Sequence, residues 1–147
     1  MKSFTFRLEK ILNYRTYLRK KAQIELFNAK NECLKREEEV MKLIEKKKEI
    51  SKQFSEKEST GMSVPVYKTY QSYLTWIGKD LEKAYVRLNQ VKEEIISKEM
   101  ALKQASINNK TLELLKELKQ KKYMEYFGKE EQKILDEMVI SGKGQNA

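Results

Sequence analysis

The sequence predicts an all-α fold, a long two-helix antiparallel coiled-coil hairpin that forms a single domain over residues 1–147. One proline and five glycines in 147 residues leave few turns, so the elements must be few and long. Apolar residues recur every three or four positions, which is the spacing of coiled-coil helices. A charged fraction of 36% and a mean hydropathy of -0.77 are high for a globule with a thick core.

The first helix is predicted over about residues 4–57. A 4-4 step at Leu18, Ala22 and Leu26 interrupts its stripe and should locally unwind the supercoil. A helix of this length needs a partner for its apolar stripe. The stripe passes through Phe4, Leu8, Ile11, Arg15, Leu18, Ala22, Leu26, Ala29, Cys33, Arg36, Val40, Leu43, Lys47, Ile50 and Phe54.

The turn is predicted at residues 58–65, which contain the only proline of the chain. Gly61 can take the positive φ that ends a helix, and Ser63 can cap the next helix. Pro65 lacks the amide hydrogen that a helix interior needs, but it is tolerated in a first turn. One helix should therefore end here and another should begin.

The second helix is predicted over about residues 66–139, followed by a flexible tail at residues 140–147. Its stripe loosens in the polar stretch 107–110 and resumes at Leu112. Glycines in the tail favour fraying. The stripe passes through Tyr67, Tyr70, Leu74, Ile77, Leu81, Ala84, Leu88, Val91, Ile95, Lys98, Leu102 and Ala105.

Folding back at Gly61 is expected to bring Phe4 close to Glu117, so that residues 118–139 project past the first helix. Apolar residues in that projection, such as Tyr123 and Leu135, would form a candidate docking site. The alternative is that the amino terminus is staggered and covers part of this surface.

The composition argues against an enzyme, a metal site and a cofactor. The chain has no histidine, and Cys33 is its only cysteine, so an internal disulfide is excluded and a small buried thiol is expected. The longest uncharged run, residues 69–78, is too short to span a bilayer, and no signal peptide is apparent. We expect a soluble, cytoplasmic protein.

Two surface features have open interpretations. The net charge of +9 would suit an acidic protein, a nucleic acid or an anionic membrane, but glutamates interrupt the lysines at helical spacing and favour a solvated, self-paired face. Tyr73 and Trp76 lie beside the second stripe. They are either interface anchors or braces that pack on Phe54 and Met62.

Three motifs resemble those of the flagellar export protein FliJ family, and together with the similar length and the hairpin layout the resemblance covers nearly the whole chain. They are Phe4-x-Phe6-x-Leu8-x-x-Ile11-Leu12-x-Tyr14-Arg15, Tyr70-Gln71-Ser72-Tyr73-Leu74, and Glu131-Gln132-Lys133-Ile134-Leu135-Asp136-Glu137. The resemblance implies a coiled coil similar to the rotor stalk of rotary ATPases. Such a protein is required for flagellum assembly and motility and carries no catalytic site of its own.

The resemblance also implies partners and contact residues. The partners are the export ATPase hexamer, the cytoplasmic domain of the membrane export gate, and export chaperones, so that any membrane association is peripheral. The ATPase contact carries over to Gln132, Lys133, Leu135, Asp136 and Glu137, and the gate contact to Tyr73, Ile77 and Ala84. The alternatives are the stalk of a virulence injectisome, or a basic coiled coil that binds nucleic acid or a membrane surface.

Overall fold

The fold consists of two long α-helices that pack against each other, as the sequence predicts. The computed structural model describes residues 3–145, and for residues 143–145 the backbone alone. Helix α1 spans Glu9–Thr60 and helix α2 spans Val64–Gln145. No strand occurs between residues 3 and 145. The predicted all-α fold of two packed helices is confirmed.

The helix boundaries differ from the expected ones at all four ends, and α2 begins at Val64, two residues earlier than expected. Helix α1 begins at Glu9 rather than near residue 4, and the amide of Glu9 donates to the carbonyl of Phe6 at 3.1 Å. It also continues to Thr60. Helix α2 continues through residues 140–145, which were expected to be a flexible tail, whereas residues 146 and 147 of that tail lie outside the described residues.

The turn between the helices follows the predicted chemistry. Gly61 has a φ of 97°, a left-handed conformation that a side chain would strain. The carbonyl of Ser63 accepts the amide of Tyr67 at 3.0 Å, which makes Ser63 the residue that opens α2. Pro65 follows in the first turn, where its missing amide hydrogen costs nothing.

The packing divides the chain into two compact units. Unit 2 comprises Ala22–Leu102, and unit 1 combines Met1–Lys21 with Lys103–Ala147. In unit 2 the predicted stripes of the two helices pack against each other. Half-buried Leu43, Leu81 and Ile95 pack around the buried side chains. The buried cluster of unit 2 is made of Cys33, Val40, Ala84, Leu88 and Val91.

The interior of unit 1 contains a buried polar residue, Asn109, which the sequence pattern did not predict. Asn109 is 1% exposed, and its amide nitrogen Nδ2 donates to the Thr16 hydroxyl at 2.8 Å. That hydroxyl donates in turn to the carbonyl of Leu12. The amide oxygen of Asn109 is buried and has no hydrogen-bond partner among the described residues. The stretch 107–110 is therefore no break in the stripe, because Asn109 occupies its next position after Ala105.

The early part of the α1 stripe is also corrected. Leu12 is buried in unit 1, as is Phe6 just before the helix, whereas Ile11 is exposed. The predicted stripe named Ile11 and omitted the other two. The packed face contains Leu12 and Thr16, which meets Asn109, so it lies one residue further along the helix than the predicted Ile11 and Arg15.

The pairing of the helices in unit 1 differs from the expected one. The ring of Phe4 contacts that of Tyr123 at 5.7 Å between centroids, and Lys116 pairs with Glu9 at 2.9 Å. Phe4 was expected near Glu117, and that expectation is wrong. The staggered alternative is correct, because the amino-terminal segment covers part of the surface that was expected to project.

Candidate protein-docking surfaces

The last turns of α2 form a surface that the described chain leaves open. Every residue from 131 to 142 is exposed. The exposed fraction is 52% for Leu135 and 66% for Met138, which are large for apolar side chains. The exposed apolar side chains of this segment are Ile134, Leu135, Met138, Val139 and Ile140. A contiguous apolar surface of this kind is typical of a protein-docking site.

The five residues predicted for ATPase binding all lie in this segment. Gln132 and Asp136 are joined by a hydrogen bond of 3.0 Å from the amide Nε2 to the carboxylate Oδ1, across one turn of the helix. The Nζ of Lys133 lies 3.9 Å from the Glu130 carboxylate. Leu135 and Glu137 are also exposed. The segment is helical throughout, so all five side chains are held on a continuous helix.

The second surface lies in the first turns of α2. The rings of Tyr73 and Trp76 are 5.9 Å apart, and Trp76 is 51% exposed. Together with Lys68, Thr69 and Ser72 they line an open groove. The Lys46 ammonium lies 5.6 Å from the centroid of the Tyr73 ring, in the range of a cation–π contact. The Tyr73 ring is therefore held in place by Lys46 and Trp76, whereas the indole of Trp76 stays accessible to a partner.

Other aromatic residues pack against one another near the turn and brace it. The ring of Phe54 contacts Tyr67 at 5.6 Å and Tyr70 at 5.7 Å. Tyr73 and Trp76 instead contact each other. This arrangement favours the interface interpretation of Tyr73 and Trp76 over the bracing one.

Two of the three predicted gate-binding residues are buried. Ile77 and Ala84 are 0% exposed, because their side chains face α1 inside unit 2. A partner could reach them only by displacing α1. Of the three residues, only Tyr73 reaches the surface. Its neighbour Trp76 is more exposed, although the family resemblance did not assign it to the gate contact.

The basic residues are partly neutralised by glutamates of the same chain. Arg87 and Arg36 both bind the Glu39 carboxylate, at 2.7 Å and 3.2 Å, and Lys98 binds Glu25 at 3.3 Å. The hydrogen bond from Arg36 is the main reason that the pKa of Glu39 lies below its usual value. Such pairing reduces the basic charge that the described parts of α1 and α2 offer to a nucleic acid.

The single thiol belongs to the packing of unit 2 rather than to a site. Burial, assisted by the nearby Glu37 carboxylate, raises the pKa of Cys33, and its Sγ donates to that carboxylate at 3.7 Å. A thiol that stays protonated is a poor nucleophile and a poor metal ligand. No cluster of acidic or thiol side chains suited to a metal ion occurs among residues 3–142.

Comparison with known proteins shows which family the chain belongs to. The family model described as "Flagellar FliJ protein" matches residues 4–146. The chain belongs to this family. No curated protein and no solved structure matches it at a significant level. Membership in the FliJ family indicates a component of flagellar protein export.

Within the described part of the chain, neither helix holds a stretch that is long and apolar enough to cross a bilayer.

Proposed function

We propose that this flagellar export component binds the export ATPase ring through the last turns of α2 and promotes its assembly and turnover. The observation that carries the proposal is the exposed helical segment 131–142, which contains all five residues of the predicted ATPase contact. Apolar side chains at 52–71% exposure gain from burial in a partner.

The proposed mechanism requires no reaction on the chain itself. A helix placed within a ring of identical subunits presents different side chains to each subunit, and therefore biases each between its conformations to a different extent. The exposed Leu135 would supply apolar contact, and the Gln132–Asp136 pair would supply directional polar contacts.

We further propose that the groove at Tyr73 and Trp76 contacts the cytoplasmic domain of the export gate. An exposed indole beside a second aromatic ring and a lysine is a common anchor at protein interfaces. The association with the membrane would then be peripheral and would pass through this partner. Cycling of export chaperones is part of the same proposal and rests on family membership alone.

The ATPase contact can be tested with the double variant Leu135→Ala/Asp136→Ala. Hydrolysis by the cognate export ATPase is measured with and without the chain. We expect the variant to lose the stimulation while its far-ultraviolet circular dichroism is unchanged, because both side chains are exposed and alanine favours helix.

The matched control is Val86→Ala/Glu82→Ala, which removes an exposed apolar and an exposed acidic side chain from α2 within unit 2. This control should stimulate the ATPase as the unchanged chain does. Full stimulation by Leu135→Ala/Asp136→Ala would contradict the proposed contact.

A further inference from the structure

The packed stripe of α2 continues beyond the residues that α1 and the amino-terminal segment cover. In unit 1 this stripe passes through Asn109, Lys116, Tyr123 and Phe127, and the rings of the last two stack at 6.4 Å. Because a helix repeats every 3.6 residues, Ile134 and Met138 fall on the same face as Phe127.

These two residues line a shallow groove, whereas Phe127 is still half-buried. Ile134 and Met138 are exposed, and they share the groove with Glu137, Ser141 and Gly142. The apolar face is therefore continuous with the surface of α2 that packs against the start of α1 and the amino-terminal segment. The face has the residue spacing of a coiled-coil stripe that lacks its partner helix.

Charges flanking this face carry one sign. Glu130, Glu131 and Glu137 lie along its two edges, by the same helical spacing. Residues 128–142 contain two basic and four acidic residues, within a chain of net charge +9. The Nζ of Lys133 lies 3.9 Å from the Glu130 carboxylate, at the long end of the range for an ion pair. The open face is thus apolar at its centre and acidic at its edges.

We propose that the face formed by Phe127, Ile134 and Met138, called the seam extension below, binds a basic amphipathic helix of a partner protein. The helix would lie where α1 would lie if it were longer, with its apolar residues on Ile134 and Met138 and its lysines or arginines beside Glu130, Glu131 and Glu137. Charge complementarity argues against the same segment of a second copy, which would bring like charges together.

The inference rests on the proposed function, which places a partner on the same turns of α2. It adds the face used and the chemistry of the occupant. The predicted contact residues Gln132 and Asp136 point away from the seam extension, because each lies two residues from Ile134, a rotation of about 200° around the helix axis, in opposite senses. The two faces can therefore be tested separately.

The test titrates the full chain into two labelled synthetic peptides and follows fluorescence anisotropy. Both peptides carry leucine at alternating spacings of three and four. Lysine flanks the leucines in one peptide, and glutamate flanks them in the other. We expect the lysine peptide to bind and the glutamate peptide not to bind.

Variants locate the binding on the helix. Ile134→Gln/Met138→Gln should weaken binding of the lysine peptide by about tenfold or more, because it removes the apolar centre of the face. Glu130→Gln/Glu131→Gln/Glu137→Gln should weaken binding and reduce its dependence on salt. The matched control Val86→Gln/Met100→Gln removes two exposed apolar side chains of α2 in unit 2 and should leave the affinity within about twofold.

Three outcomes would overturn the inference. They are equal binding of both peptides, an undiminished affinity of Ile134→Gln/Met138→Gln, and a wild-type dimer in sedimentation that this variant dissociates. Binding of the cognate ATPase by Ile134→Gln/Met138→Gln at unchanged affinity would also overturn it while leaving the proposed function intact. Lysine-peptide binding by a chain that fails to bind the ATPase would instead overturn the proposed function alone.

Discussion

The interiors of the two units differ in chemistry. Unit 2 buries small and medium apolar side chains, among them Val40, Ala84 and Leu88, along both helices. Unit 1 places a buried asparagine, Asn109, against a threonine hydroxyl and adds a row of aromatic rings. An apolar stripe tolerates sliding by a heptad, whereas a buried hydrogen bond is lost when the helices slide. Unit 2 thus contributes stability, and unit 1 contributes register.

The largest effect is expected from shortening a buried side chain of unit 2. Leu88→Ala removes a side chain that is 6% exposed, and should lower the free energy of unfolding by about 2–4 kcal/mol. Urea denaturation followed by circular dichroism measures the change. The control Leu114→Ala, at an exposed leucine of α2 in unit 1, should cost less than about 1 kcal/mol. Equal losses would remove the distinction between packed and open faces.

A smaller effect of opposite sign is expected at the polar pair of unit 1. Asn109→Leu removes a buried amide oxygen that lacks a partner, so stability should rise by about 1 kcal/mol. The cost should appear as a loss of unique register. In a Cys33→Ser background, a short bis-maleimide reagent should cross-link Phe4→Cys to Tyr123→Cys in the parent, and in a smaller fraction of molecules after Asn109→Leu.

The control for this change is Asn108→Leu, whose side chain makes an exposed hydrogen bond with Gln104. It should change the stability by less than about 0.5 kcal/mol and leave the cross-linking yield unchanged. A destabilised Asn109→Leu variant with full cross-linking yield would show that the polar pair contributes stability rather than register.

The smallest effect is expected from acidification at the ion pairs of unit 2. The pKa of Glu39 is lowered in the folded chain, so its contribution is present above the unfolded-state pKa and is lost as the pH falls through the folded value. Glu39→Gln should therefore flatten the loss of stability below about pH 4.5. Thermal melts between pH 3 and 7, at low and high salt, measure the difference. An unchanged pH profile would show that these half-exposed pairs contribute nothing.

Much of unit 2 could be predicted from the sequence because its stripe is regular. The 3-4 spacing through Ile77, Ala84, Leu88 and Val91 identified the residues that the structure buries. The regular stripe also conflicts with the predicted gate contact, because a side chain that packs against α1 cannot also contact a partner protein. Ile77 and Ala84 had been placed in both roles.

The pairing in unit 1 could not be predicted, for a physical reason. Shifting one helix along the other by a few residues leaves apolar stripes in contact, so spacing alone does not select a register. The residue that marks the register, Asn109, is polar, and it was therefore assigned to an interruption. Its position four residues after Ala105 was the available signal.

The candidate docking segment was predictable in place but not in detail. Its motif and its distance from the turn both indicated the end of α2, and the structure leaves residues 131–142 exposed there. The seam extension was missed because Ile134 and Met138 were not connected to the stripe of unit 1. That connection needs the position of Phe127 on the packed face, which only the structure shows.

The most direct test of the account is the accessibility of residue 134 with and without the cognate export ATPase. In a Cys33→Ser/Ile134→Cys chain, the rate of maleimide labelling is measured alone and in the complex. The account predicts labelling near the rate of an unfolded peptide for the free chain, and strong protection by the ATPase. Slow labelling of the free chain, or equal rates in both states, would contradict it.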